Sequence, residues 1–286
     1  MSLCAGLLLN SMLRRNGINS RSFNFLSKEN EGEVLKEIKN FDPDIIGLST
    51  TFILTPKHFI EVTNDLKKKF PKSFIVCGGH HVFTSLLQMT NKEKKDYLID
   101  SKADCFINDS QGENALLELV KNINKDISKI PNLIWKNKNK EVIFNHIHPE
   151  ENDVNSTLIE FDQLQNPLIA HIRTARSCSF KCAFCSYPTI AGKLATMELE
   201  NVFATIKKAK EAGLKAIFFT DDTFNVPKKR FEAIIDGMIE RDLYIPWYSF
   251  IRCQYLDEKL VHKMRESGCQ GSYLGVESGS DEILKK

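Results

Sequence analysis

The stretch Leu168-Ile-Ala-His-Ile-Arg-Thr-Ala-Arg-Ser-Cys178-Ser-Phe-Lys-Cys182-Ala-Phe-Cys185 decides how the second half of the chain is read. Leu168–Arg173 is short, apolar and rich in β-branched residues, which predicts a buried strand. Three cysteines follow within eight residues, and the other five, Cys4, Cys77, Cys105, Cys253 and Cys269, are scattered singly. A disulfide framework belongs to small secreted chains with evenly spread cysteines. The triplet therefore predicts a metal site in a reducing compartment, and the single cysteines read as small buried apolar groups.

Three thiolates are the soft ligands of iron–sulfur clusters. On a four-iron cluster they leave one iron open, able to chelate the amino and carboxylate groups of S-adenosylmethionine (SAM). Phe184, just before the last cysteine, is suited to lie beside an adenine. Zinc is the competing ligand. It favours four donors in paired short spacings, and His171 or Cys253 would have to supply the fourth.

Beyond the cysteines the pattern repeats. Residues 197–212, 228–241 and 257–267 are expected to be amphipathic helices, with Phe231, Ile234, Ile235, Met238 and Ile239 on one face of the second. Ala216–Thr220, Trp247–Arg252 and Gly271–Val276 are the strands between them, and a last helix begins at Asp281. Ligands of such sheets lie at the carboxyl ends of the strands. Candidates there are Thr220, Asp221 and Asp222 after the second strand, Arg252 after the third, and Glu277 and Ser278 after the fourth. Helix capping accounts equally well for Asp221, Asp222 and Glu277 taken alone.

Residues 1–125 alternate in the same way. Helices are expected at 3–15 (closed by Gly17), 31–40, 57–69 and 114–122, and strands at Ser20–Phe25, Asp44–Phe52, Phe74–Cys77 and Ala103–Ile107. That alternation predicts a doubly wound parallel sheet. Leu133–Trp135 and Glu141–Phe144 flank a polar turn and read as a hairpin. Residues 146–166, polar and rich in Asn and Asp, read as an interdomain linker. The formal net charge of +2 is interspersed, so no nucleic-acid face is expected. No apolar run reaches the roughly 20 residues of a membrane span. A cytoplasmic protein without a membrane partner is expected.

The whole chain resembles the cobalamin-binding radical SAM enzymes, and within them the phosphinothricin P-methyltransferase (PhpK) family. The segments carrying this are Ala103-Asp-Cys-Phe-Ile-Asn-Asp-Ser-Gln-Gly-Glu113, Asp221-Asp-Thr-Phe-Asn-Val-Pro227 and Phe250-Ile-Arg-Cys-Gln254. The resemblance implies an α/β chain: a Rossmann-like cobalamin domain over 1–125, a hairpin and linker over 126–166, and a partial radical SAM barrel over 167–286. It implies a [4Fe–4S] cluster on Cys178, Cys182 and Cys185. It places SAM against Phe184, Thr220, Asp221, Asp222, Arg252, Glu277 and Ser278. Cobalamin is placed against Ser49, Thr50, Thr51, Gly78, Gly79, His80, Gln111, Gly112 and Glu113. The Asp-x-His-x-x-Gly signature of a lower axial ligand is absent, and His80 and His81 read as loop residues.

The implied reaction is radical methyl transfer. One SAM methylates cob(I)alamin, a second yields a 5′-deoxyadenosyl radical that takes a hydrogen from a small-molecule substrate, and the substrate radical captures the methyl group. For a phosphinate that hydrogen is on phosphorus. An electron donor such as flavodoxin or ferredoxin is implied. The alternatives are a non-methylating cobalamin radical SAM enzyme, or an inactive module binding cluster and cobalamin. The family's first domain opens with a strand that has no counterpart before residues 3–15, and its barrel has six βα units where four are read here. The expectation is a fragment with little activity alone.

Overall fold

A computed structural model describes residues 4–23, 31–162 and 168–284. The chain opens with helix α1 (Cys4–Arg15), ended by Gly17 with φ of 77°. The expected strand at Ser20–Phe25 does not form over residues 20–23, and its last two residues lie outside the described ones. Two compact units divide the molecule: residues 25–151, and residues 1–24 together with 152–286.

The unit of residues 25–151 contains α2 (Glu31–Phe41), β1 (Ile45–Ser49), α3 (Pro56–Lys69), β2 (Phe74–Gly78), α4 (His80–Gln88), α5 (Asn91–Asp100), β3 (Cys105–Ile107), α6 (Glu113–Asn122), β4 (Leu133–Lys136) and β5 (Val142–Phe144). The sheet order is β1-β2-β3-β4-β5, parallel up to β3 and antiparallel beyond. Phe59, Ile75, Val76, Cys77 and Phe106 are buried between sheet and helices, each adding about 1.5–3 kcal/mol if fully apolar. Thr55 caps α3 ahead of Pro56, and Thr90 and Glu93 form a complete capping box at α5. Helices α4 and α5 were not expected from sequence, although Thr90-Asn-Lys-Glu93 is a capping-box signal for the second.

The other unit pairs α1 with a βα series: β6 (Ile169–Ile172), β7 (Ala175–Arg176), α7 (Tyr187–Ala191), β8 (Ala195–Thr196), α8 (Leu199–Glu211), β9 (Ala216–Phe219), α9 (Lys228–Glu240), β10 (Trp247–Ile251), a 3₁₀ turn (Cys253–Tyr255), α10 (Glu258–Ser267), β11 (Cys269–Leu274) and α11 (Asp281–Leu284). Strands β6, β9, β10 and β11 lie side by side, all parallel, in chain order. Ala170, Ile172, Ile217, Phe219 and Trp247 point to the helices and are buried against Val202, Ile206, Phe231 and Ile235. His171, Phe218, Phe250 and Tyr273 point to the opposite face, in ring contact at 5.3–5.9 Å.

Two expectations are corrected here. Helix α1 packs with the C-terminal unit, not with residues 31–125: Leu7 and Leu8 join its core, and the Arg14 side chain meets Asp162 at 2.6 Å. Residues 152–162 are not a free linker, because Val154, Ile159 and Phe161 are buried in that same core. The polar composition hid these three apolar anchors. The Ser11 hydroxyl accepts the Glu160 N–H at 2.8 Å, and the Arg15 guanidinium donates to the carbonyls of Ser156 and Leu158.

Candidate functional site

The carboxyl ends of β6, β9 and β10 form one cluster of contacts around the cysteine loop. Beyond β6 the chain passes Thr174 and enters β7, and both turns hang on Asp221. This carboxylate accepts the Thr174 N–H at 2.6 Å, the Thr174 hydroxyl at 2.5 Å and the Ala175 N–H at 2.9 Å. Asp221 is buried, which pushes its pKa up while these bonds oppose the shift. Ser177 then takes a left-handed backbone, φ 72°, with its hydroxyl on the Gly192 carbonyl at 2.6 Å. That reversal delivers Cys178 into the loop.

The cysteines are free thiols, Cys178 and Cys182 half-buried and Cys185 exposed. The Cys185 N–H donates to the Cys182 carbonyl at 3.0 Å, so these two share one turn. Cys178 Sγ lies 3.5 Å from the Thr223 hydroxyl. An Arg252 guanidinium N–H donates to Cys182 Sγ at 3.0 Å, and the same guanidinium lies 3.9 Å above the Phe180 ring. Among the described residues, no set of three His, Cys, Asp or Glu side chains converges as metal ligands. The proposed zinc donors take no part: His171 packs on Phe218, and the Cys253 thiol reaches only Gln254. Three soft thiols, one accepting from the Arg252 guanidinium and one beside the Thr223 hydroxyl, fit an iron–sulfur cluster as a donor set.

The residues expected around SAM divide. Phe184 is 72% exposed, free to stack on a planar ligand. Asp222 lies at the surface with the Tyr187 hydroxyl bonded to it, and its pKa is raised to about 6, chiefly by lost hydration. Glu277 is exposed, with φ of 60°, and Ser278 caps the backbone of Ser280 at 3.0 Å. Thr220 bonds the Ile172 carbonyl across to β6. Asp221 and Arg252 differ from expectation. The Asp221 carboxylate is consumed by Thr174 and Ala175, and Arg252 meets a cysteine sulfur rather than a carboxylate. Thr223 and Asn225 were missed, because their roles depend on neighbouring strands and not on spacing.

In the other unit, the expected cobalamin residues lie at or just beyond the ends of β1, β2 and β3. Gly79, at φ 100°, is required: a Cβ there would crowd the Thr50 nitrogen at 3.1 Å and the Thr51 hydroxyl at 3.3 Å. Ser49 and Thr51 present an exposed hydroxyl pair 3.2 Å apart, near exposed Phe52 and Leu54. Thr50 is fully buried, donating to the Gly78 carbonyl and accepting the Val82 N–H, so its hydroxyl is not open to a ligand. His80 is exposed, whereas His81 is buried on the Tyr97 hydroxyl at 2.9 Å. At Gln111–Glu113 the N-terminus of α6 is capped by Glu150, which accepts the N–H groups of Asn114 at 2.8 Å and Ala115 at 2.7 Å. Glu150 and its anchor Asp109 were not foreseen, since they join residues about 40 positions apart in the chain. An exposed hydroxyl pair, a glycine turn and apolar neighbours fit one face of a corrin.

Residues 172–286 match the Radical SAM superfamily. Over 88% of its length the chain is 30% identical to an uncharacterized methyltransferase of Pyrococcus horikoshii, of which it covers 56%. It is 23% identical, over 98% of its length, to the hopanoid C-3 methylase of Methylococcus capsulatus, of which it covers 54%. The chain thus spans about half the length of these relatives. Its fold is similar to that of the radical SAM methyltransferase TsrM from Kitasatospora setae, solved with tryptophan substrate and a SAM analog, with a TM-score of 0.73 at 15% identity. That match covers 99% of this chain and 58% of TsrM. The cobalamin-dependent SAM radical enzyme OxsB, solved with aqua-cobalamin and SAM, aligns over all of this chain and 42% of its own, with a TM-score of 0.69 at 18% identity. No described helix is long and apolar enough to cross a membrane.

Proposed function

We propose that this chain carries the core of a cobalamin-dependent radical SAM methyltransferase acting on a small molecule, with Cys178, Cys182 and Cys185 as cluster ligands. The observation that carries the reading is the cysteine loop at the carboxyl edge of β6, with Thr223 and Arg252 each directed at one of its sulfurs. Bound there, a [4Fe–4S] cluster with SAM, and cobalamin on the other unit, supply the electron relay, the radical precursor and the methyl carrier.

The protein's part is binding, orientation and exclusion of water. Asp221 holds the entry to the loop. Phe184 offers a face to an adenine, while Asp222, Glu277 and Ser278 offer acceptors to amino and hydroxyl groups. His171, Phe218, Phe250 and Tyr273 form an aromatic wall on the sheet face turned away from the helices. Ser49, Thr51, Gly78, Gly79, His80 and the turn at Gln111–Glu113 receive cobalamin. An electron donor of the flavodoxin or ferredoxin class completes the system. The P-methylation of a phosphinate is the finer form of the proposal, supported by the segments at 103–113, 221–227 and 250–254.

Anaerobic reconstitution with iron and sulfide, followed by SAM, cobalamin and a reductant, tests the reading. Wild type is expected to bind an iron–sulfur cluster and Cys182→Ala to bind none; 5′-deoxyadenosine released by wild type alone would support the open iron as well. Retention of zinc with no iron cluster would overturn the assignment. Transfer of label from methyl-labelled SAM to a phosphinate, followed by ³¹P NMR, tests the finer form.

A further inference from the structure

The segment after β9 supports the cysteine loop in three ways. Asp221 holds Thr174 and Ala175, Thr223 reaches Cys178, and Asn225 acts through Arg252 on Cys182. The third contact is the most fully built. Asn225 is completely buried, and its side-chain amide brackets the Arg252 backbone: Nδ2 donates to the Arg252 carbonyl at 2.7 Å, and Oδ1 accepts the Arg252 N–H at 2.9 Å. The neighbouring Phe224 N–H also bonds the Phe250 carbonyl at 2.9 Å. The end of β10 is thereby fixed as though by an added strand. From it the guanidinium stacks on Phe180 and donates to Cys182 Sγ at 3.0 Å. Its rotation is restrained by the ring, and its charge is permanent.

We propose that Arg252 is a tuning residue of the iron–sulfur cluster, held by Asn225 and Phe180 so that its N–H bond to the Cys182 sulfur raises the cluster's reduction potential. The inference rests on the reading of the three cysteines as cluster ligands. Reduction adds negative charge to a cluster already bearing thiolates, and a charge-assisted donor on one ligand sulfur stabilises the reduced form more than the oxidised one. Arg252 thereby acts on the cluster without SAM, in contrast to a residue that grips the SAM carboxylate. Asn225 is the positioning residue behind it.

The test is an electron-paramagnetic-resonance redox titration of the chain reconstituted with ferrous iron and sulfide, in the absence of SAM. Arg252→Gln is expected to bind iron and sulfide like wild type but to reduce at more negative potential. At the poise where wild type is half reduced, its reduced-to-oxidised ratio should fall about tenfold, equivalent to about 59 mV for one electron. Arg252→Lys keeps the charge but not the stacked fork and should shift less in the same direction. It carries the test if the Gln variant fails to load. Asn225→Ala should shift in that direction too. A loaded Arg252 variant with the wild-type midpoint, or a shift seen only after SAM is added, would overturn the proposal. Absence of an iron cluster from wild type, or a normal cluster in Cys182→Ala, would instead sink the ligand assignment beneath it.

Discussion

Removing the Asp221 carboxylate leaves the N–H groups of Thr174 and Ala175 and the Thr174 hydroxyl buried without their acceptor. Asp221→Ala is therefore expected to destabilise the C-terminal unit by about 2–5 kcal/mol, and Asp221→Asn by less, as read from urea unfolding. His81 gives a pH signature in the other unit. Burial lowers its pKa in the folded state, so the unfolded chain binds the proton more tightly. Stability falls as pH drops below the unfolded value of about 6.5, and His81→Gln should flatten that dependence in thermal melts. At this scale the sequence made the cysteines legible, because their spacing is local. It did not show the protein partners of Asp221, Arg252 and Thr50, which come from segments distant in the chain, and it could not reveal Glu150 as the cap of α6.

At the scale of elements, periodicity located the central strands of both sheets and most helices, because a 3.6- or 2-residue pattern is written in adjacent side chains. It did not say what a helix would pack against. Leu7 and Leu8 of α1 announced an apolar face, but only the fold pairs it with Val154, Ile159 and Phe161. Leu8→Ala should cost about 2–5 kcal/mol by opening a cavity in the C-terminal unit. Gly237 in α9 makes a second case. A methyl group there would run into the Phe203 ring of α8. Gly237→Ala improves helix propensity by about 1 kcal/mol, yet should be net destabilising because the ring is buried and cannot yield. Calorimetric midpoints of the two variants check both expectations.

Over the whole molecule, the alternation of strands and helices foretold two α/β units, but not that one of them is discontinuous in the chain. The chain's two tryptophans fall one to each unit, Trp135 bonded to Asn145 and Trp247 buried on Ser267. Single-tryptophan variants can thus follow the units separately. The emission of Trp247 is expected to lie to the blue of Trp135, which is only half-buried, and Leu8→Ala to lower the urea midpoint reported by Trp247.

The discontinuity also orders events on the ribosome. Helix α1 emerges early, yet Val154, Ile159 and Phe161, which cover Leu7 and Leu8, are made well over a hundred residues later. At about 5–20 residues per second the delay is on the order of ten seconds, long enough for residues 25–151 to fold first. Throughout that interval the nascent chain displays an unsheltered apolar helix, a binding target for chaperones that vanishes once the βα series closes over it.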